Sequence, residues 1–82
     1  MKINEIKNIL DYAKECGRLV TITLVSGQVS HINFCKKTKT FTATDDVILD
    51  EEGHLVIKYD TDGSRDYIDS DSIIRIFIKE GL

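Results

Sequence analysis

The sequence predicts a mainly β domain with one N-terminal helix, its strands rolled into a small, strongly bent, five-stranded antiparallel barrel. Three observations predict it. Apolar residues recur at three- and four-residue spacing only as far as Cys16, and beyond Gly17 the period changes to two. Turns carrying glycine, at Ser26-Gly27, Glu52-Gly53 and Asp62-Gly63, cut the remainder into short strands. The last third reads as a strand, a tight turn, a short strand, a kink and a final strand, from Leu55 through Tyr67-Ile68 to Ile73 and Ile78.

Ile3, Ile6, Leu10 and Ala13, widened by Ile9 and Cys16, form one apolar stripe, while Lys2, Glu5, Lys7, Asn8, Asp11, Lys14 and Glu15 fill the other faces. This predicts an amphipathic helix over about residues 2–16, with Gly17 as the left-handed residue that stops it. A helix of that length does not persist alone in water, so its stripe must lie on an open end or face of the barrel, about residues 18–79.

From Leu19, the apolar Val20, Ile22 and Leu24 alternate with Thr21 and Thr23. Ser26-Gly27 is expected to make a two-residue hairpin turn, which sets Val25 against Gln28, Leu24 against Val29 and Ile22 against His31. In that register Ile32 and Phe34 fall out of phase with Val29, so a bulge near Ser30-His31 is expected to bring both sets to one core. Residues 35–40 form a polar connection. Phe41, Ala43, Val47 and Leu49 suggest a third strand interrupted around Thr44-Asp45-Asp46; Leu55, Ile57 and Tyr59 share a face of the fourth. Residues 60–64 turn the chain back, Tyr67-Ile68 and Ile73 to Ile78 complete the sheet, and Asp69-Ser70-Asp71-Ser72 between them suits a single helical turn. Closing such a meander removes exposed strand edges.

The 82 residues are read as one domain, 1–82, because no proline-, serine- or glycine-rich tract offers a linker. A chain this short buries only about 60–65% of its unfolded surface, and a partner chain would supplement its thin core. The net charge of -3 argues against a surface that clings to phosphate everywhere, yet it allows a local basic patch. Cys16 and Cys35 show no disulfide or zinc spacing, which favours a reducing cytoplasm. Charge interrupts the apolar residues from Lys2 onward, and no run approaches the roughly 20 apolar residues of a membrane helix, so neither signal peptide nor membrane partner is expected.

Lys36, Lys37 and Lys39 place three positive charges within four residues of one loop. Such a loop either holds phosphates or is a solvated connection. His31, His54, Cys16 and Cys35 are not paired at metal-ligand spacing, and no metal or other cofactor is expected. Asp60-Thr61-Asp62-Gly63 lacks the closing glutamate of a calcium loop and reads as a turn. Asp45, Asp46, Asp69 and Asp71 fall on predicted loops where solvation is the default; with no nucleophile set beside a base, no enzyme is expected.

Two stretches carry a family resemblance. Val20-Thr21-Ile22-Thr23-Leu24-Val25-Ser26-Gly27 resembles the alternating strand and glycine turn that open the Sm motif, and Tyr67-Ile68 with Ile73-Ile74-Arg75-Ile76 is similar to its closing strand, short turn and strand. With the leading helix, the order of elements resembles the Sm-like family, which includes the Hfq-type bacterial RNA chaperones, and more broadly SH3-like small barrels. The chain departs from the family at His31 or Ile32, where a glycine is usual, at Cys35, Lys36 and Lys37, where Asp and Asn follow the phenylalanine, and at residues 69–72, where a basic or histidine signature is usual. What the resemblance implies is assembly, with fourth and fifth strands pairing edge to edge into rings. The expected function is therefore a non-enzymatic, homo-oligomeric binding module. Its ligand is RNA or a small phosphorylated nucleotide, held by Lys36, Lys37 and Lys39 with Asn33 and with Asp69 and Ser70 from a neighbouring subunit. The alternative is a protein partner, recognised by the acidic turns at Asp45-Asp46, Asp50 to Glu52 and Asp60 to Asp66, as for an adaptor or inhibitor.

Overall fold

The structure, a computed structural model, describes residues 1–35, 45–50 and 52–80. Lys36, Lys37 and Lys39, and the expected strand residues Phe41 and Ala43, lie outside the described residues. One helix, α1 (Ile3–Cys16), precedes six strands: β1 (Leu19–Leu24), β2 (Val29–Asn33), β3 (Asp46–Leu49), β4 (His54–Lys58), β5 (Arg65–Asp69) and β6 (Ile73–Ile78). They form two three-stranded antiparallel sheets, sheet A in the order β2-β1-β6 and sheet B in the order β3-β4-β5.

The helix ends as its sequence predicts. Gly17 adopts φ 66°, and the N–H groups of Gly17 and Arg18 reach back to the carbonyls of Lys14 and Ala13. Ile6, Leu10 and Ala13 are buried, and Lys14 Nζ bridges to Asp46 Oδ1 at 3.1 Å, which seats the helix beside β3. The stripe meets Val20 and Ile22 of β1, Ile32 and Phe34, Leu55 and Ile57 of β4, Ile68 and Ile73 in one core.

The closed five-stranded barrel is corrected. No ladder joins sheet A to sheet B among the described residues, and the short strand at Tyr67-Ile68 and the final strand from Ile73, both expected, fall in different sheets. The expected helical turn is present as the 3-10 turn Ser70–Ser72, and it marks the passage from sheet B to sheet A. Asp69 caps it by accepting the Asp71 N–H, and the reoriented chain pairs β5 with β4 but β6 with β1.

The hairpin register is also corrected, by one residue. The Leu24 N–H donates to the Gln28 carbonyl, and Thr23, Ile22 and Thr21 face Val29, Ser30 and His31. The loop is therefore three residues long, Val25-Ser26-Gly27, with Gly27 at φ 90° taking the position that only glycine enters without strain. In this register Ile32 and Phe34 turn inward together and Val29 faces solvent, so no bulge at Ser30-His31 is needed. The irregularity lies instead between β1 and β6, where Thr23 faces Arg75 but Leu24 faces Ile73, leaving Ile74 as the extra, exposed residue.

Candidate ligand face on the outer side of sheet A

Alternation in sheet A sends Val20, Ile22 and Ile32 into the core and sorts a different set onto the outer face. The pairing register builds that face in rows. Thr21 stands between His31 and Phe77, and Thr23 between Val29 and Arg75. Leu19 stands between Asn33 and Lys79, whose N–H donates to the Leu19 carbonyl at 2.9 Å. Phe77 is 48% exposed, an aromatic ring about half open to solvent on this face. The Arg75 guanidinium lies 5.5 Å from the ring centroid. The Thr21 hydroxyl is 3.1 Å from His31 Nδ1, an interaction that orients the imidazole and leaves its other nitrogen open. A cavity of about 340 Å³ opens here, lined by Leu19, Thr21, His31, Asn33, Phe77 and Lys79 among others.

The face is cationic and aromatic together. Arg75 in β6 and Lys79 just beyond its end flank Phe77 at alternate positions, while Glu80 faces Arg18 at 3.4 Å and Asp45 is buried. The reading of Asp45 as a solvated loop carboxylate is corrected, since it is only 8% exposed. Its Oδ2 accepts the Asn33 N–H at 2.8 Å and its Oδ1 accepts the Asp60 N–H at 3.1 Å, while its own N–H donates to the Asn33 carbonyl. One carboxylate thus ties the end of β2 to the turn after β4. Burial is tolerated because both oxygens receive donors.

Of the residues singled out from sequence, Asn33 lies on this face. Its side-chain oxygen accepts the Cys35 N–H at 2.8 Å, at the point where the chain enters the lysine segment. Asp69 and Ser70 lie at the far end of sheet A, beside the Leu24–Ile73 pair, so within one chain they do not meet Asn33. Lys36, Lys37 and Lys39 follow directly in sequence from the Asn33 end. Sequence reasoning passed over Phe77, Arg75 and Lys79. The signal was their spacing by two along the last strand and the residue after it, which share a face only if Ile76 and Ile78 turn inward.

The acidic turns have a different character. Asp50 accepts the N–H groups of His54 and Glu52, and these bonds hold its carboxyl below the usual range. Asp62 accepts the Ser64 hydroxyl and N–H and is lowered for the same reason. Both carboxylates hold their own turns together.

Sheet B presents an apolar row on its outer side. Val56 is buried between Ile48 and Tyr67, which are 55% and 59% exposed. Among the described residues the edge strands, β2 and β6 of sheet A and β3 and β5 of sheet B, each pair with a strand on one side only.

Comparison with family models, with curated proteins and with solved structures finds no match. Among the described residues, no helix is long and apolar enough to cross a membrane.

Proposed function

We propose that the chain is a non-enzymatic binding module that holds RNA or a phosphorylated nucleotide on the outer face of sheet A and associates with copies of itself. The observation that carries the reading is the outward-facing line of Arg75, Phe77 and Lys79, beside His31 and Asn33, at the end of the sheet from which the lysine segment departs. Single-strand binders combine an aromatic ring for base stacking with cations that track the phosphates, and this face supplies both. The -3 overall charge is compatible with that role because the cations are local.

Self-association is supported by the apolar Ile48, Val56 and Tyr67 row and by the edge strands of the two sheets, whose outer sides pair with no strand among the described residues and can offer backbone donors and acceptors to a neighbour. An affiliation with Sm-like and SH3-like domains is supported by the order of elements and by the 3-10 turn that sends the last strand back to the first. In that comparison β2 and β3, tied through Asn33 and Asp45, take the place of one bent strand. The unpaired Cys16 and Cys35 support a reducing, cytoplasmic setting.

The test is binding of a short single-stranded RNA, followed by fluorescence anisotropy across a salt series. Phe77→Ala should weaken binding by about 1–3 kcal/mol, the range for loss of one stacked base. Replacing Lys36, Lys37 and Lys39 together with Ala should flatten the salt dependence. Wild-type affinity in Phe77→Ala would remove the reading.

A further inference from the structure

Phe77 is not bare in the free protein. Residues two apart on a strand stand about 6.7 Å from one another on the same face, and from that distance Arg75 folds its guanidinium over the ring at 5.5 Å from the centroid. No carboxylate partners this guanidinium among the described residues, so the ring is its resting place. A base stacking on the covered side of Phe77 must displace it. An exposed cation-aromatic contact is worth roughly a two- to fivefold factor, against roughly 5- to 150-fold for a stacked base. The exchange therefore favours the base, and it releases a cation within one strand repeat of the ring. Lys79 lies at the same spacing on the other side, outward-facing and exposed.

We propose that Arg75 covers the Phe77 ring, is exchanged for a nucleobase, and then holds the phosphate on its side of that base. The face thereby selects an internal nucleotide of a single strand, with phosphates on both sides, over a free nucleoside. This rests on the reading of sheet A as the ligand face. A nucleoside displaces the guanidinium and returns nothing to it, whereas an oligonucleotide supplies both the base and a phosphate to each of Arg75 and Lys79.

The test compares adenosine with single-stranded hexa-adenylate RNA on the full chain, with Phe77 ring resonances reporting adenosine and anisotropy reporting the RNA. In Arg75→Ala, adenosine should bind two- to fivefold more tightly. The same variant should bind the RNA more weakly, with the salt slope reduced by about 0.7, the value for one single-strand phosphate. Arg75→Lys keeps the charge and should retain the slope. If Arg75→Ala weakens both ligands alike, Arg75 is a plain electrostatic contact and the exchange is wrong; no gain in adenosine binding overturns it equally. Phe77→Ala separates the two levels. Lost RNA binding there alongside unopposed effects at Arg75 overturns the exchange alone, whereas unchanged RNA binding overturns the ligand face and the exchange together.

Discussion

Asp45→Ala removes an acceptor that two backbone N–H groups share, those of Asn33 at 2.8 Å and Asp60 at 3.1 Å. Both bonds are partly buried, and alanine has nothing to replace them. Leaving a buried donor unmade costs about 1–3 kcal/mol. Water can reach part of this site, so the lower half of that range applies to each donor, and the expected loss is about 2–4 kcal/mol. A domain of this size has a total stability of only about 4–12 kcal/mol at the usual per-residue value. Urea unfolding followed by circular dichroism is the assay: with a slope near 1–1.5 kcal/mol per molar, the midpoint should fall by about 2 M. Asp45→Asn keeps one acceptor oxygen and should lose about half as much. A midpoint for Asp45→Ala equivalent to less than about 0.5 kcal/mol from wild type, the usual range for surface changes, would refute the argument that this carboxylate joins the two sheets.

Other outcomes follow from single features. Gly27→Ala forces a side chain into φ 90° although open space surrounds the new methyl, so the cost is backbone strain alone, about 1–2 kcal/mol in the same unfolding assay. The carboxyls of Asp46, Asp50 and Asp62 lie below their ordinary range in the folded chain, the first through its bond to Lys14 and the others through their own turns. Their contribution is thus complete above the unfolded value of about 3.9 and is lost as pH falls through the folded values, so acid should destabilise the protein progressively below about pH 4. Carboxyl carbon resonances would show this directly; Lys14→Ala should raise the Asp46 titration while leaving Asp50 and Asp62 in place, and an unmoved Asp46 would contradict the assigned cause.

Much of the local structure was legible because it depends on neighbours in the chain. The Ile6, Leu10 and Ala13 stripe and the left-handed Gly17 define the helix, and the serine- and aspartate-rich residues 69–72 form the short turn expected of them. The hairpin register was not legible, because Ser26-Gly27 suits both a two- and a three-residue loop. Only the burial of Ile32 and Phe34 opposite a solvated Val29 distinguishes them. The ligand face shows the same dependence. Asn33 could be singled out by its place beside the lysines, whereas Arg75, Phe77 and Lys79 looked like parts of an isoleucine-rich strand until the inward turn of Ile76 and Ile78 left them outside.

By itself, the order of residues determined one short amphipathic helix, a succession of strands and the places where the chain turns, since periodicity and glycine act over a few residues. Tertiary structure alone decided which strands share a sheet, that the final strand returns to the first, and that Asp45 is an internal tie instead of a solvated charge. These outcomes depend on groups far apart in sequence competing to bury apolar surface while keeping every backbone donor paired, and no local pattern contains that balance.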